Sequence, residues 1–122
     1  MLKKALLTTL LLLATTSLAW ASDLAGKYAV KGTNPGHADT YQGEALVVRQ
    51  GDVYAVAWRI GSQQFMGTGL HIENSFAVVY EGEGAPAGLV LYKIHPNGEL
   101  TGIYTNLGQT DIGTETWKPV SP

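Results

Sequence analysis

The stretch that decides the fold is VYAVAWRI, Val53–Ile60, in which large apolar side chains alternate with small or charged ones. Such alternation is typical of a half-buried β-strand, because successive side chains of a strand point to opposite sides. The bulkier set predicts the buried face and comprises Tyr54, Val56, Trp58 and Ile60. The other set carries the charge of Arg59 and predicts the outer face.

Seven further segments of this kind surround the deciding strand. They span residues 24–33, 41–49, 64–72, 76–80, 87–94, 99–106 and 112–118. Short strands separated by Gly, Asn, Asp and Pro predict an all-β fold. We expect an eight-stranded antiparallel up-and-down barrel, because closure removes both edges of a sheet and no long crossover is visible. A β-sandwich is the alternative, since it gives the same pattern.

Glycines mark the expected turns and bends of this fold. Gly61-Ser62 predicts a tight hairpin with a positive φ, and Asn97-Gly98 predicts a type I′ turn. Glycines inside strands are attributed to the tight bends of a closed barrel. These are Gly67, Gly69, Gly88, Gly102 and Gly113.

Composition limits the chain to one domain and excludes several kinds of chemistry. The 122 residues carry a formal net charge of −2 and no cysteine. Disulfides, thiolate metal sites and a cysteine nucleophile are therefore excluded. Because no run of like charge occurs, we expect no nucleic-acid partner.

The first 21 residues resemble a removable signal peptide. Lys3-Lys4 precedes an apolar stretch of about ten residues, and Ala19-Trp20-Ala21 offers the small residues that a signal peptidase requires. The apolar stretch is too short to span a bilayer, which needs about 20 residues. We therefore expect a periplasmic or secreted protein whose single barrel domain covers residues 22–122.

Several motifs resemble those of known families. Gly26-x-Tyr28 resembles the Gly-x-Trp signature of the calycin group, which contains the lipocalins and avidins. Asn97-Gly98-x-Leu100-x-Gly102 and Gly113-Thr114-Glu115-x-Trp117 resemble a family of small exported proteobacterial proteins, some of which carry a fibronectin-binding label. The resemblance implies a calycin-like barrel. The likeness to avidins is one of architecture, and it transfers no biotin-binding residues.

The sequence indicates neither catalytic residues nor a cofactor. No Gly-x-Ser-x-Gly motif occurs, and the three histidines lack the spacing of metal ligands, so we expect no metal site. Glu115 alternates with Gly113 and Trp117 and could share their face. If that face is the inner one, a buried carboxylate needs a partner, which Arg59 or Lys93 could supply.

We expect a ligand site at the end of the barrel that carries the longer links, because loops on a rigid scaffold carry function more often than tight turns do. The acidic and amide side chains there suit a polar or cationic ligand. The candidate site residues are Asn34, His37, Asp39, Tyr41, Glu81, Glu83, Asn106, Gln109 and Asp111. The aromatic residues either line a cavity or fill the barrel, and the second is favoured for a small barrel.

Three functions remain open from the sequence. The first is a non-catalytic binding protein for a small molecule. The second is a structural or interaction module, such as a matrix-binding adhesin or an inhibitor with an extracellular protein ligand. Phe76–Tyr80 is apolar on both faces, which favours burial against another chain and hence a homo-oligomer. The third is a small barrel enzyme.

Processing of the leader can be measured directly. We expect the exported protein to begin at Ser22, because the cleavage motif ends at Ala21. The intact mass of the protein recovered from the periplasm or medium checks this. A mass that retains residues 1–21 would contradict both the processing and the expected location.

Overall fold

The computed structural model describes residues 23–36 and 39–121. The expected signal peptide and His37 lie outside these residues. The eight strands are β1 (Gly26–Thr33), β2 (Thr40–Gln50), β3 (Val53–Ile60), β4 (Gln63–Ile72), β5 (Ser75–Gly82), β6 (Gly88–Ile94), β7 (Leu100–Asn106) and β8 (Gly113–Pro119).

The sheet closes on itself in simple up-and-down order. Each strand pairs antiparallel with the next, and β1 also pairs with β8 from Tyr28↔Pro119 to Thr33↔Thr114. Both flanks of β1 are therefore hydrogen-bonded, and none of the eight described strands remains at an edge. The all-β barrel is confirmed, and the alternative of a two-sheet sandwich is wrong.

The deciding strand β3 has the orientation that its alternation predicts. Tyr54, Val56 and Trp58 are buried in the barrel, whereas Arg59 is exposed on the outer face. The same alternation of inward and outward side chains on the other strands buries the following residues inside the barrel: Val30, Val47, Phe76, Val78, Val90, Tyr92, Leu100 and Trp117. The core is thus assembled from one face of every strand except β4, whose inner face is rich in glycine.

Most glycines inside the strands serve as platforms for aromatic rings. A Cβ atom built on Gly69 would lie 2.6 Å from the Phe76 ring, and one on Gly113 would lie 2.5 Å from the Tyr104 ring. These distances are far below van der Waals contact, so each ring lies directly on the backbone of a neighbouring strand. Accommodating these rings explains the glycines better than tight bending does.

Of the two turns predicted from Gly61-Ser62 and Asn97-Gly98, the structure confirms the positive φ of the first and contradicts the type of the second. Gly61 has a φ of 62°, as the Gly61-Ser62 turn predicts. At the second site, Gly98 donates its N–H to the His95 carbonyl at 2.9 Å, so the turn runs from His95 to Gly98. Pro96 then occupies the second position with its fixed negative φ, and Asn97 is not in the left-handed region. The expected type I′ turn is therefore wrong.

The two ends of the barrel differ. At one end the links are tight, and the residues before β1 cross the opening: Leu24 is buried, and its carbonyl accepts a hydrogen bond from the Tyr28 hydroxyl at 2.7 Å. The Tyr54 hydroxyl donates to Asp23 at 3.0 Å. The core is packed at this closed end. The opposite end carries the two longest links, residues 34–39 and 107–112, and the barrel interior opens to solvent there.

Within residues 23–36 and 39–121 there is no helix with the length and apolarity needed to cross a membrane.

Candidate functional site

A cavity of about 210 Å³ occupies the open end of the barrel. Six aromatic side chains line it, namely Tyr41, Trp58, Phe65, Tyr80, Tyr92 and Tyr104. Polar groups at its mouth come from Asn34, Gln63 and Asn106. The sequence left open whether the aromatic residues fill the barrel or line a cavity. In the structure they fill the closed half and line a cavity in the open half. The packed or nearly packed interior favoured from the sequence describes the closed half, and the open half contains the cavity.

The most unusual group at the cavity is the carboxylate of Glu115, which is only 6% exposed. Its Oε1 atom accepts hydrogen bonds from Trp58 Nε1 at 3.0 Å, Tyr92 hydroxyl at 2.6 Å and Trp117 Nε1 at 2.7 Å. Its Oε2 atom accepts one from the Tyr41 hydroxyl at 2.6 Å. Four side chains from β2, β3, β6 and β8 thus converge on one carboxylate.

Two glycines let the tyrosines reach it. Glu115 is paired with Gly102 of β7 on one side and with Gly32 of β1 on the other. Gly102 in turn is paired with Tyr92, and Gly32 with Tyr41. Each tyrosine must therefore extend across one intervening strand, and a Cβ atom on either glycine would collide with its ring. The row Tyr–Gly–Glu–Gly–Tyr is a single layer across five strands.

The expected ion pair of Glu115 is wrong, although its burial is confirmed. Arg59 and Lys93 are exposed, because the alternation of β3 and β6 directs both to the outer face. Among the described residues the salt bridge found is the surface pair Lys27–Glu44 at 3.4 Å. Neutral aromatic donors take the place of the expected cation.

A second hydrogen-bonded chain lies at the mouth of the cavity. The Tyr80 hydroxyl donates to Asn106 Oδ1 at 2.7 Å, and Asn106 Nδ2 donates to Gln109 Oε1 at 3.0 Å. The hydroxyls of Tyr41 and Tyr104 lie 3.1 Å apart. The wall therefore presents oriented hydroxyl and amide groups between aromatic rings, as ligand pockets commonly do.

The structure brings some of the predicted site residues together. Asn34, Tyr41 and Asn106 line the cavity, and Gln109 supports Asn106. The Asp39 carbonyl accepts a hydrogen bond from the Asn34 N–H at 3.0 Å, and the Asp111 side chain packs on Gly36.

The remaining predicted residues lie apart from the cavity. Glu81 and Glu83 are exposed beside an outer groove of β4 and β5, and His37 lies outside the described residues. The binding role of the whole set stays a prediction.

Sequence reasoning did not assign the deepest lining residues to the site, namely Trp58, Phe65, Tyr80, Tyr92, Tyr104 and Glu115. One pattern could have indicated them. Within a strand pairing, each of several aromatic residues is matched to a glycine, as Tyr80 is to Gly88 and Phe65 to Gly82. Aligning the predicted strands by these pairs would have placed the rings on the inner face.

Burial raises the pKa of both tyrosines that contact Glu115. For Tyr41 and Tyr92 the main cause is loss of solvation, and the negative charge of Glu115 adds to it. Burial also raises the pKa of Tyr80 and Tyr104. These hydroxyls therefore remain protonated, and remain donors, well above neutral pH.

The site offers aromatic and hydrogen-bonding groups and no cluster of metal ligands among the described residues. In the part of the chain that the structure describes, no three His, Asp or Glu side chains lie close enough to hold a metal ion. The groups around the cavity are phenols, indoles, amides and one carboxylate, which together suit the recognition of a small molecule.

Comparison with known proteins supports the fold. No protein-family model matches the chain, and no curated protein sequence matches it. Among solved structures it is similar to a chain described as "REP1-NXSQ fatty acid transporter", with a TM-score of 0.55 and 14% identity. The match covers 84% of this chain and 99% of that one. At this identity the likeness shows a shared barrel fold, which agrees with the calycin-like expectation.

The raised pKa values of Tyr41 and Tyr92 predict a loss of stability at alkaline pH. Unfolded tyrosine ionises near pH 10. Since the folded pKa is higher, the stabilisation is fully present below about pH 10 and is lost as the pH rises towards the folded value. We expect the unfolding free energy to fall above about pH 10, measured by urea denaturation at several pH values. Tyrosinate absorbance should appear at a higher pH in the native protein than in the denatured protein. Coincident titrations would contradict this.

Proposed function

We propose that this protein is an exported, non-catalytic binding protein that holds a small molecule in the open half of its barrel. One observation carries the proposal: the cavity combines six aromatic side chains with oriented hydroxyls and one buried carboxylate. An interior filled only for stability would use apolar side chains, because buried polar groups have to be satisfied by hydrogen bonds. The leader at residues 1–21 supports the export of this binding protein.

The size of the cavity limits the ligand. A volume of 210 Å³ corresponds to about seven water molecules, below the range of about 300–1,000 Å³ that is usual for drug-sized ligands. The occupant is therefore compact. The structural neighbour is described as a fatty acid transporter. In this chain a carboxylate that entered head first would be repelled by the Glu115 carboxylate, which favours a ligand of different chemistry.

The predicted residues at the mouth have a consistent place in this function. Asn34, Tyr41 and Asn106 line the path between solvent and the deeper rings. Their amide and hydroxyl groups are available to orient a polar part of the ligand. Gln109 acts one step further out by fixing the amide of Asn106.

Neighbouring residues of β4 provide a matched test. Phe65 lines the cavity, whereas Met66 is 60% exposed on the outer face. We expect native mass spectrometry of protein purified from its natural host to detect a bound small molecule in the wild type and in Met66→Ala. Phe65→Ala should lose most of this occupancy, because it removes one wall of the cavity. A wild type without any bound molecule, or unchanged occupancy in Phe65→Ala, contradicts the proposal.

The outer face of the barrel favours a second candidate, an interaction module that pairs with a second copy of itself. Leu70, Ala77, Leu91 and Ile103 are matched across four strands and form an uncharged row. Val79 and Leu89 extend it in the next row. Contiguous apolar surface on an outer face is typical of a site where another chain binds. Val78 of the same strand is fully buried in the core and does not belong to this face.

Two leucines of equal exposure test self-association. Leu91 lies in the apolar row, and Leu46 lies on the outer face of β2; both are 50% exposed. If the row is an interface, Leu91→Lys should yield a monomer while Leu46→Lys leaves the dimer intact, as measured by light scattering during size-exclusion chromatography. A wild-type monomer at high concentration would eliminate this candidate.

A further inference from the structure

We propose that the cavity selects a small organic cation, whose ammonium group binds the Oε2 atom of Glu115. This inference rests on the proposed binding function and names the chemical class of its ligand. It follows from three features of the site: the distribution of hydrogen bonds over the two carboxylate oxygens, the charges around the cavity, and the nature and size of its walls.

The two oxygens of Glu115 are used unequally. Oε1 accepts three hydrogen bonds, from Trp58, Tyr92 and Trp117, which leaves it no further capacity. Oε2 accepts only the bond from Tyr41. Since each carboxylate oxygen has two lone pairs, Oε2 can take at least one more donor. The carboxylate is thus held rigidly through one oxygen and remains open at the other.

Glu115 belongs to the lining of the cavity. Trp117, bonded to Oε1, is fully buried and is not among the residues that line the cavity. Tyr41, bonded to Oε2, lies at the start of β2 near the mouth and does line it. Since Trp58 and Tyr92, the other donors to Oε1, also line the cavity, both oxygens lie close to it. The unused lone pair of Oε2, beside the mouth residue Tyr41, is the one that a donor group of the ligand would take.

The charge of the site is unbalanced. All four groups that contact Glu115 are neutral donors, and no Lys or Arg belongs to the cavity lining among the described residues. A carboxylate removed from water strongly favours a nearby positive charge, because the low local dielectric strengthens their attraction. The same field disfavours an anion. A ligand that supplies the missing cation gains more at this site than a neutral molecule of equal size.

The walls suit the same ligand. Aromatic rings attract ammonium groups through their negative faces, and several of them around one carboxylate form a site for an organic cation. The rings also bury the apolar body of the ligand. With room equivalent to about seven water molecules, the cavity fits a short alkylammonium ion.

Three probes with one alkyl chain and different head groups test this inference: n-hexylammonium, 1-hexanol and hexanoate. Isothermal titration calorimetry at neutral pH should show that n-hexylammonium binds at least about tenfold more tightly than 1-hexanol, with no detectable binding of hexanoate. Emission of Trp58 should change on binding, since its ring lines the cavity. Binding should also be lost in Phe65→Ala and kept in Met66→Ala.

Removal of the charge provides the matched variants. Glu115→Gln should abolish the preference for n-hexylammonium over 1-hexanol, whereas Glu44→Gln, which neutralises an exposed carboxylate of β2 outside the cavity, should preserve it. The wild-type ranking decides the matter even if Glu115→Gln fails to fold. Equal or tighter binding of 1-hexanol or hexanoate overturns the inference.

Failure of all three probes to bind also overturns the inference, while native mass spectrometry of Phe65→Ala and Met66→Ala separately decides whether the protein is a binding protein at all.

Discussion

The structure depends on one buried carboxylate that four aromatic side chains satisfy. Taking an ion out of water costs several kcal/mol, and hydrogen bonds to a charged group each return about 1.5–3 kcal/mol. Glu115 therefore stabilises the barrel only while its donors stay in place. Because these donors come from β2, β3, β6 and β8, the carboxylate ties together strands on different sides of the barrel. The same bonds fix the rings that form the cavity.

Glycine and aromatic residues act as a pair throughout this barrel. A small barrel cannot hold a large side chain at every inner position, so several rings are paired with a glycine on the neighbouring strand, as Tyr80 is with Gly88. Gly32 and Gly102 admit the two tyrosines to Glu115. This packing is dense at the closed end and leaves space at the open end. The cavity and the stability of the protein therefore arise from the same set of residues.

Much of the fold was predictable, because it depends on local alternation. The bounds of the eight strands, the inner face of β3 and the barrel all follow from period and turn residues. The hydrogen-bond partners of Glu115 do not follow from these local patterns, because contacts across a barrel depend on how closure aligns distant strands. The turn at Asn97-Gly98 was predicted in its place but with the wrong type, because Pro96 occupies the second position of the turn. The deep rings were missed as site residues because sequence does not show where packing ends and a cavity begins.

The central claim is that the four donors need Glu115, and substitution of that residue tests it most directly. Urea denaturation of Glu115→Leu, which leaves the two indoles and two phenols without their acceptor, should show a loss of about 1–3 kcal/mol in unfolding free energy for each donor left buried and unpaired, or a failure to fold. Glu115→Gln keeps one acceptor oxygen and should lose less. A Glu115→Leu variant within about 1 kcal/mol of the wild type would contradict the account, since the carboxylate would then not organise the barrel.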